Sequence, residues 1–221
     1  MPKRVFKPRT RKSGFRDAKL IVIATEGMVT ETKYFNDLAF DEKYRNPKIH
    51  VEILERSATA SAPNHIIHEL DKFRRQFRLN EYDELWLVID VDRWGDAKLS
   101  DIATQCEQKV YQLAVSNPCF ELWLLLHVKS LDEYAADELS DIANNSRANG
   151  RTWLEKELLE LCGSYDKSNL NTSHYIPYVE TAIQRAQEID ANLEHRWPNQ
   201  IGTRVYLLAK SIIETTHRKL N

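Results

Sequence analysis

The sequence predicts an α/β protein built on a mostly parallel sheet flanked by helices. Three observations predict it. Short apolar, branched runs at 20–25, 49–54, 85–89 and 110–115 end abruptly in acids or turn residues. Segments with helical periodicity separate them, so strand and helix alternate. The central run, Leu85-Trp86-Leu87-Val88-Ile89, is too uniformly apolar to leave one face in water, which suits a parallel strand covered on both sides.

The first strand, 20–25, runs into Glu26-Gly27, where Gly27 suits a tight βα turn. Thr30 is the expected N-cap of the next helix, with Glu31 favouring its first turn and Tyr34, Phe35 and Leu38 forming its apolar face. Asn46-Pro47 breaks the chain, and 49–54 alternates as a second strand. After a small-residue loop at 57–63, Ile66, Ile67, Leu70, Phe73 and Phe77 are spaced for one helix face. The third strand ends in Asp90-Val91-Asp92. A loop at 93–100 and a polar helix near 99–108 follow, then a fourth strand at 110–115. Asn117 is the expected N-cap and Pro118 the first residue of a helix at 119–128 that is apolar nearly all round and therefore buried.

From 131 onward the sequence reads as helices with no clear strand: 132–142, 152–162, 175–193 and roughly 203–216. The expected organisation is a basic arm at 1–17, an α/β core at 18–130 and a helical subdomain at 131–221.

Composition narrows the function classes. The chain has 221 residues, 42% hydrophobic and 29% charged, as a soluble globular protein has. No apolar run approaches the roughly 18 residues of a membrane span. The basic N-terminus lacks a following apolar stretch, so no signal peptide is expected. Three scattered cysteines fit a reduced, cytoplasmic setting. The net charge of −2 conceals an asymmetry: residues 1–16 hold seven Lys/Arg and no acid, leaving 24 basic against 33 acidic residues in the rest. Such an arm either grips phosphates, through residues such as Arg9, Arg11 and Lys12, or serves as a solubilising tail.

Asp90 and Asp92, at i and i+2, lie on one side of the chain while it stays extended. Two carboxylates there repel, and a hard cation such as Mg2+ would relieve the repulsion. The alternative is a solvated acidic turn. If the strands are parallel, Glu26, Asp90/Asp92 and the Asn117/Glu121 turn place oxygen ligands on one sheet edge, where open α/β sheets bind ligands. Lys167 and Arg93 either meet substrate phosphate or form surface salt bridges, and Trp94 either stacks on a base or packs its loop. His65 and His68 read as a solvated helix face, and a positive His127 suits a helix C-terminus. No Gly-rich phosphate loop is present, so ATP binding by this chain is not supported.

Together Glu26-Gly27-x-x-Thr30-Glu31, Tyr34-Phe35, Asp90-Val91-Asp92, the block Ser116-Asn117-Pro118-Cys119-Phe120-Glu121-Leu122-Trp123-Leu124-Leu125-Leu126-His127, Tyr165-Asp166-Lys167 and Asn199-x-x-Gly202-Thr203 resemble the RloB family of the Toprim-like group. The resemblance spans about 19–216 and leaves the basic arm outside. It implies a Toprim-like (Rossmann-like) fold and a nuclease that holds Mg2+, with Mn2+ as a substitute, for phosphodiester cleavage in RNA such as tRNA, or in DNA. By position, Glu26, Asp90 and Asp92 would be metal ligands and Glu31 and Glu121 supporting acids. Such proteins are associated with restriction and phage-defence loci, often beside an ATPase, so a partner ATPase and a nucleic-acid substrate are expected, and no membrane. Oligomeric state stays open, a homodimer included. Two rival readings are a non-catalytic Toprim-like sensor subunit of a defence complex and a nucleotide-sugar transferase using Asp-x-Asp.

Overall fold

Only the first residue of β1 (Lys19–Thr25) is not buried. In the computed structural model, which describes residues 18–54, 63–92, 94–190 and 192–213, β1 lies between β2 (Ile49–Ile53) and β3 (Glu84–Asp90). β4 (Gln112–Asn117) pairs with β3, and β5 (Gly202–Thr203) closes that side, giving the order β2-β1-β3-β4-β5. The first four strands are parallel, and β5 runs antiparallel to β4.

Strand side chains alternate between two cores, as the pleat requires. Ile21, Ile23, Trp86 and Val88 face a cluster built by α1 (Thr30–Phe40) and α4 (Phe120–Val128). Leu20, Val22, Leu85, Leu87 and Ile89 face the other, covered by α2 (Pro63–Gln76) and α3 (Asp96–Lys109). Every residue of α4 from Phe120 to His127 is buried, and its four leucine side chains each gain about 1.5–3 kcal/mol from leaving water. The C-terminal helices α5 (Ala136–Asn144), α6 (Trp153–Cys162), α7 (Val179–Ile189) and α8 (Val205–Ile213) follow. Leu154, Leu158, Val179, Ile183 and Leu208 extend the same cluster as Trp123.

This order creates the crevice. The chain leaves β1 for β2 on one side, then crosses back to β3 on the other. The helices that follow β1 and β3 cover opposite faces, which opens a gap at the C-terminal ends of those two strands.

Several local expectations are corrected. Thr30 is the first helical residue of α1, not its cap; Val29 holds that position. Asn117 closes β4, the Asn117–Pro118 peptide is cis, and α4 starts only at Phe120 with Cys119 as N-cap. Val110 belongs to no strand. It ends α3 in the left-handed region at φ 59°, exposed to water, and β4 starts two residues later. The helix expected at 132–142 is a 3-10 turn, Leu131–Glu133, followed by α5. Glu133 reaches back to Ser130 N (2.8 Å) and Glu138 to Ala135 N (2.8 Å), so two helix starts follow each other closely. The long helix expected at 175–193 begins as a 3-10 turn, Ile176–Tyr178, and ends at Ile189. Asp190 leaves it to accept from Arg204 Nε (3.0 Å) and the Tyr206 hydroxyl (3.1 Å). The C-terminal region does contain a strand, β5, with only two residues, too few to show a period. Among the described residues no helix is long and apolar enough to cross a membrane.

Candidate functional site

Sheet register sets Glu26 beside Asp90. Thr25 pairs with Val88, and Glu26 N donates to Val88 O at 2.9 Å. Glu26 then turns inward, and its Oε2 accepts from Asp90 N (3.3 Å) and Trp94 Nε1 (3.0 Å). The carboxylate is buried, at 2% exposure, and is positioned by the next strand's backbone.

Glu31, on the first turn of α1, folds back over the β1–α1 loop. Its Oε1 accepts from Gly27 N at 3.0 Å. A Cβ at position 27 would lie 1.8 Å from Glu31 Oε2, so only glycine leaves room for this carboxylate. Gly27 is therefore a seat for Glu31 as well as a turn residue.

Glu121 enters from the first turn of α4, held by two partners from the segment after α6. The Tyr165 hydroxyl donates to Glu121 Oε1 at 2.7 Å, and Lys167 Nζ lies 2.8 Å from the same oxygen. Lys167 also pairs with Glu155 Oε1 at 2.9 Å. Glu155 is the far end of a capping box on α6, where Thr152 Oγ1 accepts from Glu155 N and Glu155 Oε2 accepts from Thr152 N. The segment is tied to α1 by the Thr30 hydroxyl, which donates to Lys167 O at 3.0 Å.

Glu26, Glu31, Asp90, Glu121 and Lys167 line one open cavity of about 200 Å3, with Gly27, Thr30, Phe120 and Ser168 and a lip of exposed Met28 and Val29. Their charges interact. Burial raises the Asp90 carboxyl well above the ordinary carboxylate range, and repulsion from Glu31, Glu121, Glu26 and Asp92 adds to it. Burial pushes Glu31 up to about 7; its backbone hydrogen bonds oppose the shift, and Glu121 and Glu26 reinforce it. Glu121 differs. Burial acts upward on it, but the Lys167 charge and hydrogen bonds from Lys167, Cys119 and Tyr165 outweigh burial and hold it below its usual value.

Three strand ends thus bring Glu26, Asp90, Glu31 and Glu121 together, as expected. Asp92 lies apart. β3 ends at Asp90, the chain turns, and Asp92 is exposed outside the cavity lining, although its charge still bears on Asp90. The i, i+2 argument needed an extended chain that stops one residue too early. Trp94 packs its loop and spends its indole N–H on Glu26. Asn117 donates to Pro198 O at 3.1 Å and does not line the cavity. Arg93, Arg9, Arg11 and Lys12 lie outside the described residues. His65 and His68 are exposed, as expected. His127 is not charged: it is buried between Tyr34 Oη (2.9 Å) and Trp123 O (2.8 Å), and burial pushes it down to about 3. Sequence reasoning missed Tyr165, Glu155 and the seat at Gly27. Tyr165 enters the sequence reading only through the Tyr165-Asp166-Lys167 match, and the Thr152-x-x-Glu155 spacing announces a cap rather than a lysine partner.

Among the described residues no three His, Cys, Asp or Glu side chains are already grouped as ligands of one ion. The donor chemistry nevertheless fits a hard divalent cation: all-oxygen, with crowded carboxylates whose raised protonation a positive charge would reverse. A family model described as RloB-like protein matches residues 21–212. No curated protein and no solved structure matches the chain.

Proposed function

The chain belongs to the RloB-like family, and from that premise we propose that it is a metal-dependent nuclease acting on phosphodiester bonds of RNA or DNA. One observation carries the reading: four carboxylates from separate elements and one lysine line a single open cavity at the sheet's switch point.

Asp90 and Glu26 would hold Mg2+ or Mn2+, with Glu31 and Glu121 completing the oxygen set, and Asp92 would add negative charge from outside. Bound there, the ion would supply Lewis-acid polarisation of the phosphate and a more acidic bound water. The chain's own residues do the rest. The β3 backbone and Trp94 fix Glu26, and the Gly27 amide fixes Glu31. Tyr165 and Lys167 keep Glu121 ionised and oriented. The Lys167 side chain is 45% exposed, so its ammonium can also meet a phosphate oxygen entering from solvent. The acidic body repels a polyanion, which gives the basic arm a part in substrate grip. A role in phage defence beside a partner ATPase extends the same reading.

A second reading is a non-catalytic ion- or ligand-sensing subunit. The exposure of Asp92 outside the cavity lining, which splits the Asp-x-Asp pair, favours it. Mn2+ titration followed by water-proton relaxation tests the metal site. Saturable binding that Asp90→Asn and Glu26→Gln each weaken at least about tenfold supports it. Binding unchanged in both variants refutes it.

A further inference from the structure

A second cavity, of about 420 Å3, lies on the other side of the segment that carries Tyr165 and Lys167. The segment divides the two. Lys167 and Ser168 line the carboxylate cavity, whereas Tyr165, Asp166 and Asn169 line the larger one. Tyr165 links the two: it lines the larger cavity, and its hydroxyl donates to Glu121, which lines the carboxylate cavity.

We propose that this second cavity is a nucleobase subsite, taking the base next to the phosphodiester bound at the carboxylates. The inference rests on the nuclease reading for its position but not for its chemistry. The volume falls in the range of small-ligand pockets, about 300–1,000 Å3. Tyr165, Tyr175 and Leu170, all buried, form an apolar floor on which a flat heterocycle can rest. Ser164, Asn169 and Asp166, all exposed, give the polar groups that read the edge of a base. Among the described residues none that lines it is basic, and Asp166 is an acid, so a phosphate does not belong there. A neutral ring does. The phosphate goes to the Lys167 side of the same segment, which sets base and phosphate on its two sides.

Free nucleosides separate this inference from the nuclease reading, because they need neither metal nor cleavage. The four ribonucleosides and four deoxyribonucleosides are titrated calorimetrically into the full chain in EDTA, beside Asn169→Trp, Ser164→Trp and Asp90→Asn, each checked for an unchanged melting temperature. Both tryptophan substitutions are at exposed loop positions and fill the cavity. At least one nucleoside is expected to bind saturably, to lose at least about tenfold in affinity in either tryptophan variant, and to keep its affinity in Asp90→Asn. Saturation by no nucleoside, or binding indifferent to both tryptophans, overturns the subsite. Binding in a chain that cuts no polymer even with its metal bound and its partner ATPase added keeps the base site and removes the nuclease.

Discussion

Lys167 Nζ lies 2.8 Å from Glu121 Oε1, the only cation among the described residues that line a cavity of four carboxylates. The pairing shifts both partners in opposite senses. Burial pulls the Lys167 ammonium down, but Glu121 and Glu155 outweigh it and hold it above its ordinary value. Glu121 is kept below its own. One acid of the cluster is thereby secured as an anion while Asp90 and Glu31 are driven towards protonation.

Lys167→Met leaves Glu121 and Glu155 buried beside no ammonium. The expected loss is about 1–3 kcal/mol of unfolding free energy, towards the lower end because water reaches the half-exposed lysine. Urea denaturation at pH 7 measures it. The same variant is expected to lose polymer cleavage by more than this destabilisation explains.

Metal-free stability is expected to fall as pH rises. Glu31 has a folded pKa of about 7 against an ordinary 4.5. A raised carboxyl contributes its stability fully below the unfolded value and loses it as pH climbs through the folded one. Between pH 4.5 and 7 this amounts to about 3 kcal/mol for Glu31, and Asp90 acts in the same direction. Mg2+ is therefore expected to raise the melting temperature at pH 8 and to leave it nearly unchanged at pH 5, as scanning calorimetry would read.

His127 works against this on the acid side. Its folded pKa of about 3 is below the ordinary 6.5, so the unfolded chain takes up the proton first. Stability falls from this source as pH drops from about 6.5 towards 3, by up to about 1.4 kcal/mol per unit. His127→Gln should flatten that slope, at a cost of about 1–3 kcal/mol near pH 7 from disturbed hydrogen bonds to Tyr34 and Trp123. Melting temperatures of parent and variant from pH 4 to pH 7 distinguish the two slopes.

Gly27→Ala is expected to displace the Glu31 carboxylate, because the new Cβ meets its Oε2. The clash is with the far end of a flexible side chain, so the fold should hold. Mn2+ affinity should drop about 10–100-fold, as when an orienting contact is lost from a metal site. Unchanged affinity would mean that Glu31 has no part in it.

The alternation of apolar runs and helical segments, and the acids at strand ends, were legible because parallel strands and strand-end sites leave marks within one short segment. Glu26 and Asp90 meet through register, which a parallel order makes predictable. β5 was not legible, since two residues carry no period and its partner lies 87 residues earlier, as Ser116 against Thr203. Asp92 was misplaced because nothing in Asp-x-Asp tells where extension stops. Tyr165 and Lys167 reach Glu121 across 44 and 46 positions, a contact set by how α6 packs on α4 rather than by any local pattern.

Labelled bulk tRNA and single- and double-stranded DNA, incubated with the full chain in Mg2+, Mn2+ or EDTA beside Asp90→Asn and Glu26→Gln, test the carboxylate cavity as a nuclease centre most directly. Cutting of at least one polymer is expected, stopped by EDTA and reduced by at least about a hundredfold in both variants. Cutting that persists in both variants, or no cutting by a folded chain with its metal bound and its partner ATPase added, would contradict it.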